Sequence, residues 1–170
     1  MIFIYTTIIN NFKNILMKRI LYCLSFLIIS VVGLQSSVNA QVKQKPVLNH
    51  IALYVFDLKK STQFYKDVLQ LEITPEPFKD GKHTWFKLGD YSQLHLIEGA
   101  KKITPHEKSS HICFSVKSVN EFMVLLDKYQ IDRINMKGDS KSPTVRPDGV
   151  SQIYFQDPDG YWVEVNDAKL

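Results

Sequence analysis

The sequence predicts an α+β protein of two paired βαβββ modules, and three observations carry that prediction. Two stretches 61 positions apart, His50-Ile51-Ala52-Leu53-Tyr54-Val55 and His111-Ile112-Cys113-Phe114-Ser115-Val116, both open on His-Ile, close on Val and alternate with period two. Each is followed by a segment with helical periodicity and a capping residue. Each unit then finishes in short β-rich runs separated by turn signals.

In chain order, Asp57 caps a helix whose apolar face is Phe64, Tyr65, Val68 and Leu69. Strands are expected at 72–75, 84–88 and 93–97, with turns at Lys79-Asp80-Gly81 and Gly89-Asp90. A loop at 100–109 joins the modules, which span roughly 47–99 and 110–167. In the second, Ser118 and Glu121 form a capping box ahead of Phe122, Leu125, Leu126 and Tyr129. Strands follow at 133–136, 150–156 and 161–166, with 137–148 read as loop. The last two strands flank Asp157-Pro158-Asp159-Gly160, where Pro presets a turn dihedral and Gly tolerates positive φ. That hairpin places a carboxylate, Glu164, in the middle of an otherwise apolar strand, where it loses hydration unless a cation binds it.

The chain starts with a leader. Met17-Lys18-Arg19 gives a basic start, 20–34 an apolar run and Val38-Asn39-Ala40 a cleavage site before Gln41, so residues 1–40 are expected to be a leader that contains a secretory signal, with translation starting at Met17. The mature product, 41–170, is then a single exported domain, periplasmic or secreted, with no membrane association after cleavage. Removing Lys13, Lys18 and Arg19 takes the 21 basic residues to 18 against 17 acids, and no basic stripe remains to bind nucleic acid. Cys113 is the one cysteine beyond the leader, so no internal disulfide is expected, and it is read as a small buried hydrophobe. His83 and His106 fall in polar loop contexts and are read as solvent-exposed.

Alternation splits each strand into two faces. Ile51, Leu53 and Val55, like Ile112, Phe114 and Val116, form apolar faces for helices to cover. The opposite faces carry His50 and Tyr54, Trp85 and Lys87, His95, His111, Tyr154, Trp162 and Glu164. A surface mixing aromatics, amides and hydroxyls suits a substrate cavity, although it also suits an ordinary water-facing sheet. His50 and His111 on the first strands, and His95 and Glu164 on the last, occupy equivalent positions. If the modules pair by a pseudo-twofold axis and their sheets curl inward with the helices outside, these four meet. Three imidazoles and one carboxylate suit one divalent transition ion, Zn, Ni, Co, Fe or Mn, in an expandable coordination sphere.

The two His-Ile strands, Phe64-Tyr65-Lys66-Asp67-Val68-Leu69 and Asp-Pro-Asp-Gly-Tyr-Trp-Val-Glu-Val together resemble the vicinal oxygen chelate superfamily, the group of glyoxalase I, fosfomycin- and bleomycin-resistance proteins and extradiol dioxygenases. The likeness covers 47–167. It implies paired βαβββ modules around a metal cavity, often in a homodimer that exchanges modules. It also implies His50, His111 and Glu164 as metal ligands, with His95 where bacterial glyoxalase I has Glu. Glu164 matches a catalytic carboxylate that serves as base in that reaction. The first expectation is accordingly a metal-dependent, glyoxalase-I-like proton-transfer isomerisation of a small vicinal-oxygen substrate. A fosfomycin-resistance-type thiol transferase or hydrolase is the second, with Lys87 and Arg146 as the cations for an anionic substrate. The third is a sequestering module without turnover, in which Tyr54, Trp85, Tyr154 and Trp162 stack on a flat ligand.

Overall fold

The computed structural model describes residues 13, 15–22 and 45–169. The chain divides into two compact units, residues 1–45 and 46–170. In the first, residues 15–22 are helical, while the apolar run beyond Tyr22 and the expected cleavage site lie outside the described residues. Among the described residues no helix is long and apolar enough to cross a membrane.

The second unit runs β1 (His50–Val55), α1 (Leu58–Asp67), β2 (Ile73–Thr74), β3 (His83–Lys87), β4 (Gln93–Glu98), β5 (His111–Ser115), α2 (Val119–Lys128), β6 (Arg133–Ile134), β7 (Thr144–Val145), β8 (Ser151–Gln156) and β9 (Trp162–Asn166). This is βαβββ twice, with one addition: β7 lies in the segment read as loop and pairs with β8. Two residues of ladder leave too short a period to see in sequence. The helix starts are those expected. Asp57 accepts from Lys60 N at 2.9 Å and Ser118 Oγ accepts from Glu121 N at 3.2 Å.

Each module forms one mixed sheet. Sheet A has the order β1-β4-β3-β2 and sheet B the order β5-β9-β8-β6, with β1–β4 and β5–β9 the parallel pairs. The repeat seen in the sequence is therefore a repeat of topology: each His-Ile strand lies beside the last strand of its own module.

The helix-facing sides of both sheets share one core containing Leu53, Val55, Phe86, Leu94, Leu96, Ile153, Phe155, Val163 and Val165. Helix α1 connects them, because Tyr65 meets Phe86 of sheet A at 6.1 Å between ring centroids and Phe64 meets Phe155 of sheet B at 6.2 Å. Burying each such side chain contributes roughly 1.5–3 kcal/mol. Since side chains alternate and both apolar faces turn toward α1, the polar faces of the two sheets point away from it. One chain therefore does not wrap both polar faces around a common cavity.

The Asp-Pro-Asp-Gly turn also ties the modules together. Asp157, 5% exposed, accepts from Tyr65 Oη at 2.8 Å and from the backbone amides of Asp159 and Tyr161 at 2.9 and 2.8 Å. Asp159, 4% exposed, accepts from Phe56 N at 2.6 Å and from Ser61 Oγ. Burial pushes the Asp157 carboxyl up to about 6 although its three donors pull the other way, and it drives the Tyr65 hydroxyl well above its usual range.

Candidate functional site

The sequence-predicted ligands fall into two pairs, one on each sheet. Among the described residues no three His, Cys, Asp or Glu side chains are placed to hold a metal ion within one chain. The meeting of His50, His95, His111 and Glu164 expected from sequence is not formed there, for the reason given by the core: the faces that carry them diverge.

On sheet B, β5 and β9 run parallel and β8 and β9 antiparallel, which brings His111, Glu164 and Tyr154 onto one face. His111 Nδ1 donates to the Lys108 carbonyl at 2.8 Å, so its Nε2 carries the lone pair. That Nε2 lies 3.1 Å from Glu164 Oε2. Two acceptors this close need a cation between or on them, either a proton on the imidazole or a metal. Two donors about 2.1 Å from one ion and about 90° apart lie about 3.0 Å from each other, so the spacing fits adjacent ligands.

The carboxylate is fully oriented. Tyr154 Oη donates to Oε2 at 2.6 Å, Asn166 Nδ2 to Oε1 at 3.0 Å, and Cys113 Sγ approaches Oε1 at 3.4 Å. Burial pushes the Glu164 carboxyl up, but these hydrogen bonds and His111 prevail and hold it below its usual range. Tyr154 in turn accepts from Gln152 Nε2 at 2.9 Å, and burial and Glu164 raise its hydroxyl. The pair of candidate ligands is thus held by a second ring of hydrogen bonds, of the kind that orients metal ligands.

Cys113 is exposed rather than the buried hydrophobe expected. Burial of its sulfur and the Glu164 charge push the thiol up to about 12, which keeps it protonated and disfavours nucleophilic chemistry there.

On sheet A, three rings stack: His50 on His95 at 4.3 Å and His95 on Trp85 at 4.0 Å, with interplanar angles of 10° and 3°. His50 Nδ1 donates to Asn49 Oδ1 at 2.8 Å, leaving Nε2 free, and His95 Nε2 donates to Gln93 Oε1 at 3.0 Å. Imidazole lone pairs lie in the ring plane, so an ion in the plane of His50 lies well out of the plane of His95. In this stack the two rings do not share an ion. Trp85 Nε1 is buried with no hydrogen-bond partner among the described residues.

The remaining candidates are spread around these pairs. Trp162 sits opposite His111 in register and donates to the His106 carbonyl at 2.9 Å. Arg146 is paired with Asp148 at 2.5 Å, and its charge is felt by Tyr154 and Cys113. Lys87 is exposed at the end of β3, opposite Gln93 in register. Tyr54 is 55% exposed; a Cβ on Gly99, at φ +145°, would meet its hydroxyl at 2.5 Å, so this ring lies against bare backbone. His83 and His106 are half-buried rather than exposed, His83 beside Asp80 and Phe78 and His106 stacked on Tyr161 at 4.0 Å.

Alternation placed Asn166 on the face of Glu164 and Gln152 on that of Tyr154 without giving either a role, and the Lys108 carbonyl was missed. Asn166 shares the Glu164 face two residues on, which was a readable signal. The Tyr154–Glu164 pairing needed the turn length, five residues from Asp157 to Tyr161, to set the register.

The solved fosfomycin resistance protein FosX of Listeria monocytogenes superposes with a TM-score of 0.59 at 25% identity, covering 74% of this chain and 96% of that one. Lactoylglutathione lyase of Agrobacterium tumefaciens superposes at 0.55 and 24% identity, with coverage of 74% and 96%, a likeness of fold. By sequence, the metallothiol transferase FosB of Staphylococcus epidermidis is 29% identical over 131 residues, covering 72% of this chain and 82% of that protein. The sequence model of the Glyoxalase/Bleomycin resistance protein/Dioxygenase superfamily matches residues 47–165. With that match over most of its length and the twofold βαβββ topology, the chain belongs to this superfamily.

Proposed function

We propose that the protein is a metal-dependent enzyme that adds a thiol or water to a small electrophile bearing an anionic oxygen, with His50, His111 and Glu164 as its three metal ligands. The observation that carries this reading is the 3.1 Å approach of two acceptor atoms, His111 Nε2 and Glu164 Oε2. A divalent ion bound there would supply Lewis acidity toward a substrate oxygen.

The residues around it have separable tasks. Tyr154, Asn166 and Cys113 orient Glu164; the Lys108 carbonyl fixes the His111 tautomer. Trp85 and His95 hold the His50 ring by stacking, and Asn49 fixes its tautomer. Arg146, with Lys87, supplies positive charge for an anionic substrate. Since one chain holds the ligands as separate half-sites, sheet A of one copy faces sheet B of another in a homodimer. Similarity to metallothiol transferase FosB and to FosX supports this choice over isomerisation. In a glyoxalase-type reaction Glu164 would act as base, whereas here donors already occupy both of its oxygens and His95 is stacked away from a fourth coordination position. The same proposal places the enzyme outside the cytoplasm, with its leader cleaved before Gln41.

The test is metal-supplemented protein incubated with fosfomycin plus a low-molecular-weight thiol, and separately with an α-oxoaldehyde–thiol adduct. Metal-dependent consumption of the epoxide supports the reading. Turnover of the adduct alone would replace it with isomerisation, and failure of His111→Ala to lower bound metal would remove the site. Mixing His50→Ala with His111→Ala chains should restore part of the metal binding if the site spans two copies.

A further inference from the structure

We infer that Lys108 is the residue that selects the charge of the substrate, by holding the anionic group of the electrophile beside His111 and Glu164; the inference rests on the reaction proposed above. Lys108 is half-buried and lies in the segment between β4 and β5 that joins the two modules. Both of its polar ends turn to the same place. Its carbonyl accepts from His111 Nδ1 at 2.8 Å, and its ammonium lies 5.3 Å from the centroid of the Tyr154 ring. The His111 ring meets that same ring at 5.4 Å between centroids, and the Tyr154 hydroxyl donates to Glu164 at 2.6 Å. The ammonium and the two candidate metal ligands are thus arranged around one side chain.

The partners of the surrounding charges decide which of them is on offer. Arg146, whose charge is felt at Tyr154 and Cys113, is paired with Asp148 at 2.5 Å. On the adjoining elements Asp127 is taken by Arg133 and Asp132 by Lys141. Asp139 accepts from Asn135 Nδ2 at 2.7 Å, and among the described residues neither it nor Glu107 pairs with Lys108. The Lys108 ammonium donates instead to the backbone carbonyls of Met136 at 2.5 Å and Asn135 at 3.5 Å. These acceptors are neutral, so they fix the group without offsetting its charge. An ammonium has three donors, and two acceptors leave one over. Glu164 brings one negative charge, which a divalent ion at its pair with His111 would exceed. The charge balance there is therefore positive, and its fixed, uncompensated member is Lys108. A spare N–H on a positioned cation suits an anionic oxygen. Lys87, by contrast, is exposed and belongs to sheet A.

Calorimetric titration of the Zn-loaded protein with methylphosphonate, and with its uncharged dimethyl ester, tests this. The native protein should bind methylphosphonate saturably and the ester not at all. Lys108→Gln keeps an N–H for the Met136 carbonyl but no charge, and should weaken methylphosphonate about 10–100-fold, with bound Zn unchanged. Lys108→Arg keeps the charge and should stay within about threefold of native. Lys87→Met should cost less than Lys108→Gln. Native-like affinity in Lys108→Gln, equal losses in Lys108→Gln and Lys108→Arg, loss of Zn from Lys108→Gln, or no methylphosphonate binding to the native protein would each overturn the inference. The readout needs no turnover. Methylphosphonate binding through Lys108 without consumption of fosfomycin would leave the inference standing and remove the reaction, whereas fosfomycin consumption undiminished in Lys108→Gln would do the reverse.

Discussion

Asp157→Asn is the substitution that most directly tests how the two modules are held together. Asp157 is 5% exposed and its carboxyl is moved from 3.8 up to about 6, chiefly by burial. A group with a raised folded-state pKa contributes its full stability below its unfolded value and loses it as pH rises through the folded one. At about 1.4 kcal/mol per pH unit, ionising Asp157 in the folded protein costs about 3 kcal/mol by pH 7. Integrating between pH 7 and pH 5, about 1.3 kcal/mol of that is recovered on acidification. Histidines titrate in the same window and, as for His95, whose burial lowers its pKa, oppose the gain. They are common to both proteins, so the comparison with Asp157→Asn cancels them along with any fixed cost of the amide. Urea unfolding of both at pH 5, 6 and 7 should show the native protein gaining about 1.3 kcal/mol on the variant as pH falls. A difference that stays constant with pH, or that moves toward the variant, would show that the three donors and not burial set the ionisation of Asp157.

Other expectations concern the two half-sites and the core. His111→Ala should abolish stoichiometric metal binding measured by elemental analysis, whereas His95→Ala should retain the ion and weaken its affinity by about 10–100-fold, the range for a group that orients a ligand. Equal losses in the two variants would restore His95 as a ligand. Phe155, 1% exposed and in contact with Phe64 and Phe122, is where α1 and α2 meet sheet B, and Phe155→Ala should cost about 3–5 kcal/mol in chemical denaturation. Exposed Cys113, with its thiol pushed up to about 12, should be alkylated by iodoacetamide at pH 8 about a thousandfold more slowly than a free thiol. Glu164→Gln removes the nearby negative charge and should speed that reaction.

The elements and their order were legible because their signals are local. The His-Ile repeats, the caps at Asp57 and Ser118 and the Asp-Pro-Asp-Gly turn act within a few residues of themselves, and alternation assigns each strand its faces. Those same rules identified His50, His95, His111 and Glu164 as members of polar faces. Which of them approach one another was decided elsewhere. The apolar faces of both sheets bury against α1, so Phe64 and Tyr65 fix the direction in which the histidines point, and β1 and β5 carry theirs on diverging surfaces. Asp157 and Asp159 read as turn residues in sequence, yet their partners Tyr65 and Ser61 lie 92 and 98 positions away. Spacing along a strand is set by backbone geometry that any sequence window contains. The meeting of distant faces depends on which apolar surfaces find each other, and that is a property only the folded chain possesses.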